Sequence, residues 1–366
     1  MPGQLRRQWS DCSSSADSTN SWPFEDVATP PCISPPKRRR LIIQGASTSP
    51  ASPGDLKVGN QCASRSKSLW SAEEVAYRTP SRADGVSETA ESIGRLGTCD
   101  LTRRIVRELL GHGDANLDEA RLRAQVLACY CVQVFFMFAS LQNEDRDAVA
   151  AAAALVALKA VRSPYQVDDI LQVQGALCQS GEDCASREQI LKVEERLLML
   201  VPCLRGSGRH ELRFLGPMAG LAERLVRRLP ECEAFVASCG SRPPATVARD
   251  LEPRLAQVAR WFVTDAMQGL APLVVEPHAV ATVAFLFAAR YELSRCGHAV
   301  SERTLLEYTM GHVEEDGSSS PWTWLEGSPA PAPVPPSRAD LKQAIQETKK
   351  VFNMVQAIKG DHLDAA

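Results

Sequence analysis

Asp147 to Lys159 reads DAVAAAAALVALK, and His278 to Arg290 reads HAVATVAFLFAAR. The two stretches align without a gap: Ala148, Val149, Ala150, Ala153, Leu155 and Ala157 recur as Ala279, Val280, Ala281, Ala284, Leu286 and Ala288. Both end on a cation. Each is apolar around its whole circumference and built largely from small residues, the pattern of a helix enclosed by others whose backbones come close. Two such central helices predict two like helical bundles in tandem.

Outward from the repeats, the chain has 366 residues, enough for two domains of ordinary size and additional tails. Aromatic residues make up 6% and alanine gathers in helical runs, so an all-α protein is expected over a sheet protein. A formal charge of -3 gives no general attraction to nucleic acid or to an anionic membrane. The 12 cysteines include no CxxC pair, and Cys129 and Cys131 lie two apart in an apolar helix where they point in different directions; free thiols and no metal are expected. No signal peptide is expected, because no continuous hydrophobic segment follows the first basic residues. Val126 to Ala139 is interrupted by Gln133 and falls short of the roughly 20 residues of a membrane span, so a buried core helix is expected there.

Residues 1–66 are rich in Ser, Pro, Gly and Thr without hydrophobic period, a composition that predicts disorder. Within them Lys37, Arg38, Arg39 and Arg40 follow two prolines and form a compact cationic run suited to nuclear import. Ser34-Pro35, Ser49-Pro50 and Ser52-Pro53 fit proline-directed phosphorylation. Periodicity then predicts helices over 91–110, 117–140, 147–161, 168–178 and 187–200, with turns at Gly111 to Gly113 and Gln142 to Arg146 and a stop at Pro164. In the second half Leu255, Val258, Ala259, Phe262 and Ala266 form an apolar stripe, Pro277 starts the repeated helix, and a last amphipathic helix covers about 338–357. The reading divides the chain into a tail over 1–66, a first domain over 67–225 and a second over 226–360.

Several segments together resemble the cyclins, and among them the transcriptional cyclins of the K, T and L types. Trp70, Thr79-Pro80-Ser81-Arg82, Gly85-Val86, Glu91 and Arg95 follow the order W, TPSR, xGV or xGI, E and xxxR at the start of those cyclins. Gln133 to Ser140 is similar to their HRFYMxxS helix, with Val134 where arginine is usual, and Leu155 to Pro164 is similar to LFLAxKVEExP. Val193-Glu194 with Leu197-Leu198 resembles LExxLL, and Ala256 to Ala266 resembles QMAWxFVNDSL. Glu276-Pro277 with the helix after it resembles EPxxIAxAxxxLAxR, and Trp322 and Trp324 match a WW pair near the end.

The resemblance implies two tandem five-helix cyclin boxes and a regulatory subunit without catalysis of its own. Such a subunit binds and activates a cyclin-dependent serine/threonine kinase as a heterodimer, here a transcriptional one phosphorylating the RNA polymerase II C-terminal domain in the nucleus. It implies no cofactor, no direct nucleic-acid contact and no membrane partner. Lys159, Glu194, Arg162 and Phe136 fall at the positions it assigns to the kinase-facing side. In the family a lysine and a glutamate there meet the kinase's mobile helix and hold it in the active position. Val161 and Arg162 stand where the family has glutamates. The reversed charge at Arg162 predicts either a partner with an acidic facing residue or a corner left out of the interface. Glu91 and Arg95, at i and i+4, read as a helix-supporting pair worth a few tenths of a kcal/mol, and Trp261 as buried aromatic area.

No constellation for catalysis stands out. His112, His210, His278, His298, His312 and His362 are spread singly, outside any HExxH or Ser-His-Asp pattern. Gly206-Ser207-Gly208 has the composition of a loop, without the preceding strand of a phosphate cradle. The alternative is a transcription factor of the IIB type, or a scaffold, that keeps the fold without activating a kinase. A factor of that type would carry a zinc ribbon and a basic face.

Overall fold

The computed structural model of the chain describes residues 69–111, 115–177, 184–201, 212–310 and 336–363. The basic run at Lys37 to Arg40, the tail over 1–66 with its Ser-Pro pairs, the glycines at 206–208 and the Trp322 and Trp324 pair lie outside the described residues. Among those described the secondary structure is helical with no strand, the all-α class expected. Among the described residues no helix is long and apolar enough to cross a membrane.

Two short helices lead in. α1 (Ala72–Tyr77) begins with a capping box in which the Ser71 hydroxyl accepts from Glu74 N–H and the Glu74 carboxylate accepts from Ser71 N–H. Thr79 caps α2 (Pro80–Ala83), whose proline at the first position gives up an N–H that has no partner in a first turn anyway. The first bundle follows: α3 (Glu88–Leu110), α4 (Ala115–Phe135), α5 (Arg146–Ala160), α6 (Val167–Leu177) and α7 (Arg187–Leu200). Every residue of α5 from Ala148 to Leu158 is buried, and the helix packs against α3, α4, α6 and α7. Alanine at so many of these positions lets several helices approach one axis; a longer side chain would hold them apart.

The second bundle contains α8 (Leu212–Leu215), α9 (Pro217–Arg228), α10 (Glu233–Ser238), α11 (Pro244–Ala266), α12 (Ala271–Val274), α13 (Pro277–Arg295), α14 (Glu302–Met310) and α15 (Arg338–Leu363). α13 carries the second copy of the repeat. Its residues from Pro277 to Ala289 are buried, within packing from α11, α9, α14 and α15. Around the two repeated helices, α3 to α7 and then α9, α11, α13, α14 and α15 make the two five-helix groups. α11 starts earlier than its apolar stripe announces and runs through Pro253, which forgoes one backbone hydrogen bond while burial of Val247, Ala248 and Leu251 holds the first turns in place. α15 seats on the bundle through Val351: a Cβ on Gly269 would come 2.1 Å from the Val351 Cγ2. Only glycine leaves room for that approach.

Directional polar contacts join the second bundle to the lead-in segment and to the first bundle. Trp70 N–H donates to Leu273 O at 2.9 Å, and the fully buried Gln133 side chain donates to Gln268 O at 2.6 Å. Arg103 pairs with Asp265 at 2.9 Å and Arg260 with Glu119 at 2.8 Å.

Candidate functional site

The end of α5 and the flank of α7 form one corner of the first bundle. α5 starts at Asp145, whose carboxylate accepts from Asp147 N–H and Ala148 N–H, and its apolar length leaves Lys159 as the first charge at the far end. α7 starts in a second capping box, Ser186 with Gln189, and turns Ile190, Val193, Glu194 and Leu197 inward. Arg196 fixes the helix further: it pairs with Glu144 at 2.8 Å, and its guanidinium lies over the Phe135 ring at 4.7 Å.

At this corner Lys159 Nζ lies 2.6 Å from Glu194 Oε1. The lysine side chain is 49% exposed and the glutamate 9%, so the carboxylate is held in the wall while the ammonium keeps a face and spare donors toward solvent. Leu191 and Leu198 flank Glu194 on the helix surface and are 41% and 40% exposed, with Met199 beside them at 44%. A charge pair bordered by uncovered apolar side chains suits contact with a protein surface better than contact with water. The sequence assigns none of the three to a partner surface, Leu198 entering only through the LExxLL resemblance, although an amphipathic helix of this spacing should turn polar groups outward at 191 and 198.

Arg162 is exposed just beyond, in a left-handed conformation with φ 61°. The chain leaves α5 through a Schellman turn: Ser163 N–H donates to Leu158 O and Arg162 N–H to Lys159 O, both at 3.0 Å. The turn demands a positive φ at 162, a position glycine ordinarily fills; an arginine there carries a steric cost of about 1 kcal/mol. Its guanidinium makes no hydrogen bond or ion pair with the described residues. Val161, the other departure from the family's glutamates, is half-buried against the core.

Phe136 does not belong to this surface. It is fully buried, with its ring edge-on to Phe135 at 5.6 Å, and its backbone carbonyl accepts from Arg95 at 2.7 Å. The sequence places an aromatic residue at a family position; burial makes it a support of the core, with no side-chain surface for a partner.

Glu91 and Arg95 also differ from the expectation, in magnitude. Arg95 is 2% exposed and its guanidinium contacts Glu91 at 2.7 Å, Gln133 O at 3.1 Å and Phe136 O at 2.7 Å, while Thr79 donates to the other Glu91 oxygen at 2.9 Å. Burial pulls the guanidinium below its ordinary pKa and Glu91 opposes the pull. This is a buried network that ties the lead-in segment to α3 and the end of α4, and its removal costs far more than a surface helix pair. A cleft of about 130 Å³ lies above it, lined by Ala72, Val75, Glu88, Leu270, Glu347 and Lys350 among others. It is smaller than the cavities that enclose organic ligands. Among the described residues no group of three His, Cys, Asp or Glu side chains could hold a metal ion.

No protein-family model matches the chain. It is 22% identical over 223 residues to Cyclin-T1-2 of Arabidopsis thaliana, a match covering 60% of this chain and 43% of that protein, so the chain spans less than half the length of this relative. Together with an all-α fold built on two copies of one central helix, this similarity supports a relationship to the cyclin family.

Proposed function

We propose that the chain is a regulatory subunit that binds and activates a cyclin-dependent serine/threonine kinase, forming a heterodimer and performing no catalysis itself. The observation that carries this reading is the Lys159–Glu194 pair, set 2.6 Å apart on an outer corner between exposed Leu191, Leu198 and Met199. Both residues match the positions that the cyclins use to hold the kinase's mobile helix. Docking there would cover the apolar rim and leave the ammonium of Lys159 to reach carbonyl or carboxylate groups of the partner. Arg162 joins this face as a third contact.

The finer reading is a transcriptional cyclin of the K, T and L group, acting in the nucleus on a kinase that phosphorylates the RNA polymerase II C-terminal domain. The lead-in motif from Trp70 to Arg95 and the similarity to Cyclin-T1-2 support the subtype, and the basic run at Lys37 to Arg40 supports nuclear import. The division into a first box over 67–225 and a second over 226–360 is part of this proposal, and the packing of α9 on α11 and α13 favours moving its boundary back to before Leu212.

Purification of the tagged full chain with a panel of cyclin-dependent kinases, followed by an assay on polymerase C-terminal repeat peptide, tests the reading. Recovery of an active kinase is expected. Retention on promoter DNA without kinase would favour the IIB-like alternative, and neither kinase nor DNA would leave a scaffold.

A further inference from the structure

We propose that Arg162 is the partner-selecting residue of the kinase-facing corner, its guanidinium receiving a carboxylate of the kinase beside Lys159. The inference rests on the kinase-binding reading above and deepens it. Three observations carry it. The backbone at 162 is left-handed, with φ 61°, in a turn that glycine would make without strain. The side chain is exposed and makes no bond with the described residues that would repay that strain. It follows by three positions Lys159, whose ammonium is half exposed and pinned on one side only, by Glu194.

A strained conformation persists where the surrounding structure or a function requires the residue that adopts it. The Schellman turn requires the conformation at 162 but not the arginine; the remaining intramolecular role for a cation there is its attraction to the negative end of the α5 dipole, which exposure and salt weaken. On this proposal a group of the kinase supplies the partner that the described residues do not. Two cations three residues apart at one helix end define an anion-accepting corner. The planar guanidinium, with its parallel N–H donors, suits the two oxygens of a carboxylate. A kinase with a cation opposite 162 is repelled by the same arrangement, so the corner selects between partners as well as attracting one.

The intramolecular and intermolecular roles predict opposite results for Arg162→Gly in the full chain. If the arginine serves a partner, the variant loses strain and its thermal midpoint rises by about 2 °C, while affinity for a purified kinase catalytic domain that binds the wild type falls about tenfold. Arg162→Glu should lose more affinity, about a hundredfold, with the loss shrinking at high salt. Replacement of one acidic residue of the kinase by arginine should restore the binding of Arg162→Glu. A lowered thermal midpoint with unchanged affinity for Arg162→Gly would make the residue a helix-end cation and overturn the proposal. Equal affinities for wild type, Arg162→Gly and Arg162→Glu would overturn it while leaving the kinase-binding reading intact. Loss of the Arg162 dependence after phosphatase treatment of the kinase would identify a phosphate as the anion and overturn the carboxylate. Failure of the wild type to bind any kinase of the panel would overturn the underlying reading, and this inference with it.

Discussion

Arg95 and Glu91 meet at 2.7 Å with side chains 2% and 7% exposed, one turn apart on α3, at the point where the lead-in segment crosses the first bundle. Arg95→Met leaves a buried carboxylate facing the Thr79 hydroxyl alone, and a loss of about 3–5 kcal/mol is expected in denaturant unfolding. The double variant Arg95→Met, Glu91→Leu should lose less than the single one, because the uncompensated charge is gone. A single variant within 1 kcal/mol of the wild type would contradict the network described.

Lys159→Met tests the outer pair separately from the fold. Glu194 is mostly buried and Lys159 half exposed, so the stability loss should stay near 1 kcal/mol, while kinase affinity should fall at least tenfold. Titration calorimetry with a bound kinase and thermal unfolding of the free chain separate the two effects. A stability loss alone would confine the pair to a structural role.

Gly269→Ala places a methyl group 2.1 Å from the Val351 Cγ2. Either α15 moves or the bundle strains, and destabilisation of about 1–3 kcal/mol is expected. Val351→Ala in the same chain should recover part of that loss; additive losses in the double variant would mean that the two residues do not press on each other.

His278, at the start of α13, is pushed down to about 4 by burial and by the nearby charge of Arg213. His298, bonded to the Ser238 hydroxyl at 2.8 Å, is lowered as well, by burial and by Arg242. A histidine lowered in the folded state binds its proton more readily when unfolded. Its neutral form therefore costs nothing above pH about 6.5, stability falls as the pH drops from there toward 4, and the loss is complete below that. For His278 the total, discounted for partial solvation, is about 2 kcal/mol. Urea unfolding at pH 7.5 and 4.5 should show a smaller drop in His278→Asn than in the wild type.

The repeat at 147–159 and 278–290 was legible because a helix core made of small apolar residues resembles little else, and the other long helices showed by period. What escaped did so for separate reasons. α9 and α14 carry several charged residues between their apolar positions, and α11 extends through a proline that ordinarily ends a helix. The pairing of Lys159 with Glu194 joins residues far apart in the chain, which spacing alone cannot bring together. The left-handed backbone of Arg162 left no mark in the residue type, since glycine or asparagine is the usual signal. Phe136 stands at a family position that implies a partner, while its burial depends on α3 and the Arg95 network, which spacing alone does not reveal.

Lys159 and Arg290 end the two copies of the central helix, and each binds a glutamate from another helix of its own bundle, Glu194 and Glu302. The axes themselves are filled differently, Ala154 of the first copy standing where the second has Phe285, both fully buried, so each bundle fits its own neighbours around the shared alanines. The helix end is under a weaker constraint, because a side chain there can change length, charge or exposure without disturbing that fit. Two bundles built on one pattern can thus take on separate tasks at the rim while each centre keeps its own close packing.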